Sequence, residues 1–167
     1  MTKNILSFIL KILIVPIIYI MQIYVLNETR VFGQVGNLSM ALLLVITMFE
    51  KTSIAYIYAL VLGIISDVLF YTIPAQNVIC YLILVTVILG LKKTYRQDSK
   101  LTVIIYSVCG TIIYEVLMWL FNMFKNAQFI NVLAVISMIL KICVVNIFIT
   151  FVMYIIYKKL FTKEGLR

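Results

Sequence analysis

Histidine is absent from these 167 residues, and the three cysteines, Cys80, Cys109 and Cys143, stand isolated inside apolar runs. No metal-ligand spacing and no redox pair can be built from them, which argues against a zinc site, thiol–disulfide chemistry and a disulfide framework. Buried single thiols behave as small hydrophobic residues. Charge is scarce as well: 12% of the residues are charged and only 6 are Asp or Glu. There is no Gly-rich phosphate loop, and no Ser with a basic partner at a readable spacing. Acid–base and nucleophilic catalysis therefore have little to stand on, and neither an enzyme nor a bound cofactor is expected.

What fills the space is hydrocarbon. The chain is 65% hydrophobic, where a soluble domain is about half apolar and about a quarter charged. A domain this small cannot hide that excess, because much of its surface stays outside. Lipid is the solvent that accepts it. The 14 Lys and Arg give a formal +8, but they gather between and beyond the apolar runs. They read as topology determinants and contacts to anionic lipid, with no nucleic-acid partner.

The apolar runs predict spans at 5–26, 37–49, 53–71, 76–91, 101–121 and 130–157. The expected fold is all-α: a polytopic membrane protein, a compact bundle of about six transmembrane helices forming a single integral membrane domain over 1–167. The first run is too long for a signal-peptide core and ends in Asn27-Glu28-Thr29 without a small-x-small cleavage site, so it reads as the first membrane helix. Pro16 lies inside it and removes a backbone donor. The second run is short and either crosses or re-enters; Lys3 and Lys11 favour a crossing with a cytoplasmic N-terminus. The basic segment from Lys92 to Lys100 and the tail with Lys158, Lys159, Lys163 and Arg167 should face the cytoplasm. Tyr24, Tyr71 and Trp119 then fall near the outer interface, and Tyr56, Tyr58, Tyr95 and Tyr157 near the inner one.

Ala55, Ala59 and Gly63 recur every fourth residue, which places them on one helix face and permits close approach by a neighbouring helix. Asp67 is the next step on that face. Ser107, Thr111 and Glu115 share a face in the fifth span, as do Ser137 and Lys141 in the sixth. Counted from the cytoplasmic ends, Asp67, Glu115 and Lys141 lie about 22, 20 and 24 Å deep at a rise of about 1.5 Å per residue. That agreement predicts one buried polar cluster of Asp67, Glu115 and Lys141 in the outer half of the membrane. Such a cluster either sets helix register or serves ion, proton or ligand traffic. Lys11 should snorkel to the inner surface, and Glu50 and Lys51 should be solvated at an inner turn.

The stretch 56–70, Tyr-Ile-Tyr-Ala-Leu-Val-Leu-Gly-Ile-Ile-Ser-Asp-Val-Leu-Phe, resembles the Gly-Leu-Leu-x-Asp-Leu element of the MreD family. MreD is the small membrane subunit of the bacterial rod-shape and cell-wall elongation machinery. A short outer turn, an apolar span, a basic cytoplasmic turn and a span with Tyr114-Glu115 follow in the family's order. The motif-like positions are Gly63 and Asp67. The family commonly places glycine in the outer turn after the third span, where this chain has Ile73-Pro74-Ala75-Gln76. The resemblance implies a non-enzymatic scaffold in the bacterial cytoplasmic membrane with both termini inside. It would bind a MreC-like single-span protein and, with it, RodA and a class B penicillin-binding protein. The strip Ala55–Ala59–Gly63 is one face on which a partner helix could dock. The rival resemblance is to substrate-binding S components of energy-coupling-factor vitamin transporters, which are similar in size and helix number. Their first helix usually carries an Ala-x-x-x-Ala strip, and the first span here has no alanine.

Overall fold

The computed structural model describes residues 2–26, 28, 30–70, 73–93, 99–126 and 132–161. It is an all-α bundle of six helices. Helix α1 (Thr2–Met21) runs into one π-helical turn (Gln22–Leu26); then come α2 (Leu38–Phe49), α3 (Thr52–Leu69), α4 (Gln76–Lys92), α5 (Lys100–Asn126) and α6 (Val132–Phe161). Three of these, α3, α5 and α6, are long and apolar enough to cross a membrane; the apolar parts of α1, α2 and α4 are shorter. The outer surface agrees with a multi-pass membrane protein. Ile17, Ile57, Ile64, Val68, Leu133 and Phe148 are each more than half exposed, an apolar exterior that a soluble monomer rarely tolerates.

The bundle is organised around α2, which packs against all five other helices. Its sequence, LSMALLLVITMF, is apolar on every side, the signature of a helix buried all round. Eleven of its twelve residues are buried. At about 18 Å it is too short to cross a hydrocarbon core of about 30 Å alone. Residues 30–37 before it are non-helical, with a tight turn that pairs Val31 with Gln34. Around α2, the helices α3, α4, α5 and α6 neighbour one another in chain order.

The tightest seam joins α3 to α4. Ala55 and Ala59 are fully buried, and Gly63 lies so close to α4 that a Cβ there would sit 2.5 Å from Val78 Cα. The small-residue strip read from the sequence is thus consumed inside the chain. It is not a free face for a partner, which corrects the docking role considered for it.

Candidate functional site

Asp67 sits at the end of the α3 strip, and the seam aims its carboxylate at the start of α4. It accepts hydrogen bonds from the backbone N–H of Asn77 (2.9 Å) and Val78 (3.4 Å) and from Asn77 Nδ2 (2.9 Å). An anion there meets the unsatisfied N–H groups and the positive end of the helix dipole. Tyr114 of α5 donates to Asn77 Oδ1 at 2.7 Å, which extends the contact to a third helix. Ala75, just before α4, holds φ at +65°, in the left-handed region that glycine occupies freely.

Glu115, one residue after Tyr114, is partly buried on α5. Asp67 is held at the start of α4, while Glu115 stands on α5 beside Tyr114, whose hydroxyl reaches Asn77. Lys141 does not join them. It is exposed on α6, on the same face as exposed Ser137. The predicted trio is therefore corrected to two partly buried carboxyls and one outward cation. The reason is rotational: Lys141 points away from the α6 face that carries buried Cys143 and Asn146.

The polar interior is instead built from uncharged groups around the start of α2. Gln22, in the π-helical turn, donates to Gly36 O (2.9 Å) and accepts from Leu38 N (2.7 Å). Asn146 of α6 accepts from Asn37 N (2.9 Å) and donates to Thr111 of α5 (3.2 Å). Asn37 caps α2 by accepting from Met40 N (2.9 Å) and from the Ser39 hydroxyl (2.8 Å). Ser39 also shares a hydrogen bond with Tyr81 (2.6 Å), while Tyr19 donates to Leu62 O (2.5 Å) and shares one with Ser66 (2.8 Å). Ser107 donates to Thr150 at 3.2 Å, so the Ser107–Thr111 face of α5 binds α6. Irregular backbone at membrane depth is tolerated when protein groups satisfy it. Gln22 and Asn146 do so for Gly36 and Asn37.

A second assembly closes the opposite end of the bundle. Lys11 forms an ion pair with Glu50, which also accepts from Tyr157 at 2.6 Å. Lys92 donates to the terminal α2 carbonyls Thr47 O (2.9 Å) and Glu50 O (3.1 Å), where a cation suits the negative end of a helix. Tyr58 donates to Lys11 O at 2.9 Å, and the Lys11 ammonium lies 5.6 Å from the Phe161 ring centroid. Burial alone would raise the Glu50 carboxyl, but the Lys11 and Tyr157 hydrogen bonds and the Lys11 and Lys92 charges outweigh it and hold it below its ordinary value. So Lys11 and Glu50 are clamped together, where the sequence suggested snorkelling and solvation. Tyr157 is buried in this clamp and does not form an interfacial belt. Tyr56 bonds to Thr86 of α4, Tyr24 is exposed, and Tyr71 and Tyr95 lie outside the described residues.

Sequence spacing missed Gln22, Asn37, Asn77 and Asn146. Each is an uncharged amide inside or at the edge of an apolar run, and only its coincidence in depth with the others could have signalled it. Among the described residues, no group of three or more His, Cys, Asp or Glu is placed to hold a metal. Chemically, both assemblies join helices: donors meet acceptors across four or five segments, and such networks specify one packing. No protein-family model matches the chain, and no curated protein or solved structure matches it either.

Proposed function

We propose that this chain is a non-enzymatic scaffold subunit of a bacterial cell-shape or peptidoglycan-elongation complex, a MreD-like protein of the cytoplasmic membrane that binds a MreC-like single-span partner. In this reading the α2 segment completes a sixth crossing, and both termini are cytoplasmic. The observation that carries the proposal is the filled axis of the bundle. Leu42, Leu43, Leu44 and Met48 of α2 are fully buried there, leaving helix flanks and short turns as the means of recognition. The resemblance around Gly63 and Asp67 supplies the family. Two features support its use: the Gly63 seam with α4 and the Asp67 carboxylate on the α4 N-terminus give both motif positions a physical task.

The test is co-expression of the tagged full chain with a MreC-like single-span protein, followed by purification in mild detergent. A stable complex is expected. A chain that elutes alone, with the partner demonstrably present in the same membranes, would reject the scaffold.

The second reading is an S component of a vitamin transporter. The polar ring of Gln22, Asn37, Asn77 and Asn146 in the outer half of the interior favours it, because a small polar ligand would be gripped at that level. Mass spectrometry of the purified chain decides between them. A stoichiometric vitamin would establish the transporter reading.

A further inference from the structure

The one charge in the first half of α6 faces outward. Lys141 is exposed, with Leu140 and Val144 beside it and Leu133, Ile136 and Phe148 exposed above and below. It lies about 14 Å from the start of the helix at Val132 and about 24 Å from Tyr157 by helical rise. Apolar exposed surface therefore continues on both sides of the cation. A lone ammonium at such a place in hydrocarbon is expensive, and it normally meets a counter-charge.

Among the described residues, no acid stands exposed on a helix of this chain, where it could meet Lys141 of a second copy. Its six acids are Glu28, Glu50, Asp67, Asp98, Glu115 and Glu164. Glu50 is paired with Lys11, and Asp67 caps α4. Glu115 is partly buried on α5. Glu28 lies in the α1–α2 connection, and in the sequence Asp98 and Glu164 fall in the basic stretches 92–100 and 158–167, outside the apolar runs.

We propose that the outer half of α6 is the docking face for one transmembrane helix of a different protein, and that this helix brings a carboxylate to Lys141. The proposal rests on the scaffold reading and names its contact. The exposed stripe Leu133–Leu140–Phe148 packs on the apolar side of that helix, and Ser137, whose hydroxyl now donates to Ala134 O at 2.9 Å, borders the ion pair.

The experiment places the full-length protein in phosphatidylcholine vesicles with fluorescent Leu/Ala transmembrane peptides of about 24 residues. One peptide carries a single Glu at the depth of Lys141, and its twin carries Gln. The Glu peptide is expected to bind about tenfold tighter, the ratio given by a polar interhelical contact of model-peptide strength. Lys141→Met should erase the preference, and Lys141→Arg should keep it. Equal binding of the two peptides, or a preference that survives Lys141→Met, overturns the proposal. So does a preference that vanishes when phosphatidylglycerol is added, since a lipid phosphate would then be the occupant. The scaffold reading is tested separately: wild-type co-purification that persists in Lys141→Met removes this face and leaves the scaffold standing.

Discussion

Single side chains carry three of the decisive contacts, and each can be altered alone. At Gly63 an added methyl meets Val78 backbone, which cannot swing away as a side chain would. Gly63→Ala should destabilise the protein by about 1–3 kcal/mol, and Gly63→Leu by more, read as a fall in thermal midpoint in detergent. Loss of partner binding in Gly63→Leu would then report a broken α3–α4 seam rather than a lost docking face. Ala75 holds a left-handed backbone. Ala75→Gly should therefore be neutral or stabilising by up to about 1 kcal/mol, because strain relief competes with the greater freedom of the unfolded glycine. Glu50 introduces a pH dependence. Its carboxyl is depressed below the ordinary value of 4.5 by the Lys11–Tyr157–Lys92 surroundings, against the opposing effect of burial. The stability it adds is present above that ordinary value and is lost as pH falls through the lower folded-state value. Glu50→Gln should flatten the acid limb of a stability–pH profile measured by thermal unfolding, and an unchanged limb would show that the clamp does not titrate.

At the scale of elements, helix ends matter more than helix faces. The α4 start is held by Asp67, the α2 start by Asn37, Gln22 and Asn146, and the α2 end by Lys92. Asp67→Asn keeps the shape but removes the charge from the α4 dipole and should cost about 0.5–2 kcal/mol. Lys141 stands on α6, which packs on α5 and α2, while Asp67 belongs to the α3–α4 seam. Asp67→Asn and Lys141→Met should therefore add to within about 0.5 kcal/mol in a double-mutant cycle. Strong coupling would bring back the ion pair that equal depth suggested. The apolar runs read from the sequence coincide with the six helices because a continuous hydrophobic stretch satisfies its own backbone only as a helix in an apolar medium. The polar ring was not legible in the same way. A lone Asn or Gln gives no periodic signal, and its meaning depends on which helix stands opposite.

For the whole molecule, the charge map is a claim about sidedness. A variant with Cys80, Cys109 and Cys143 replaced by Ala can carry one new cysteine at a time. With Phe124→Cys, an impermeant thiol reagent should label intact cells, since that side chain is exposed at the end of α5. With Lys93→Cys, labelling should need permeabilised membranes, because the basic connection belongs inside. The reverse pattern would invert the topology and move Lys141 to the inner half of the bilayer.

Composition and run length by themselves determined the solvent, the helical class and the order of the elements. These follow from local hydrophobicity and from the rule that backbone polar groups must be satisfied within a segment. Only the tertiary structure decided which helix lies at the centre and that the Ala55–Gly63 strip is buried inside the chain, with Gly63 against α4. It also decided that Asp67 and Glu115 are partly buried while Lys141 turns outward. Those outcomes depend on the rotation of each helix about its axis and on the partner it meets. Residues that agree in depth can still point in opposite directions, and one-dimensional spacing does not record which way a helix is turned toward its neighbours.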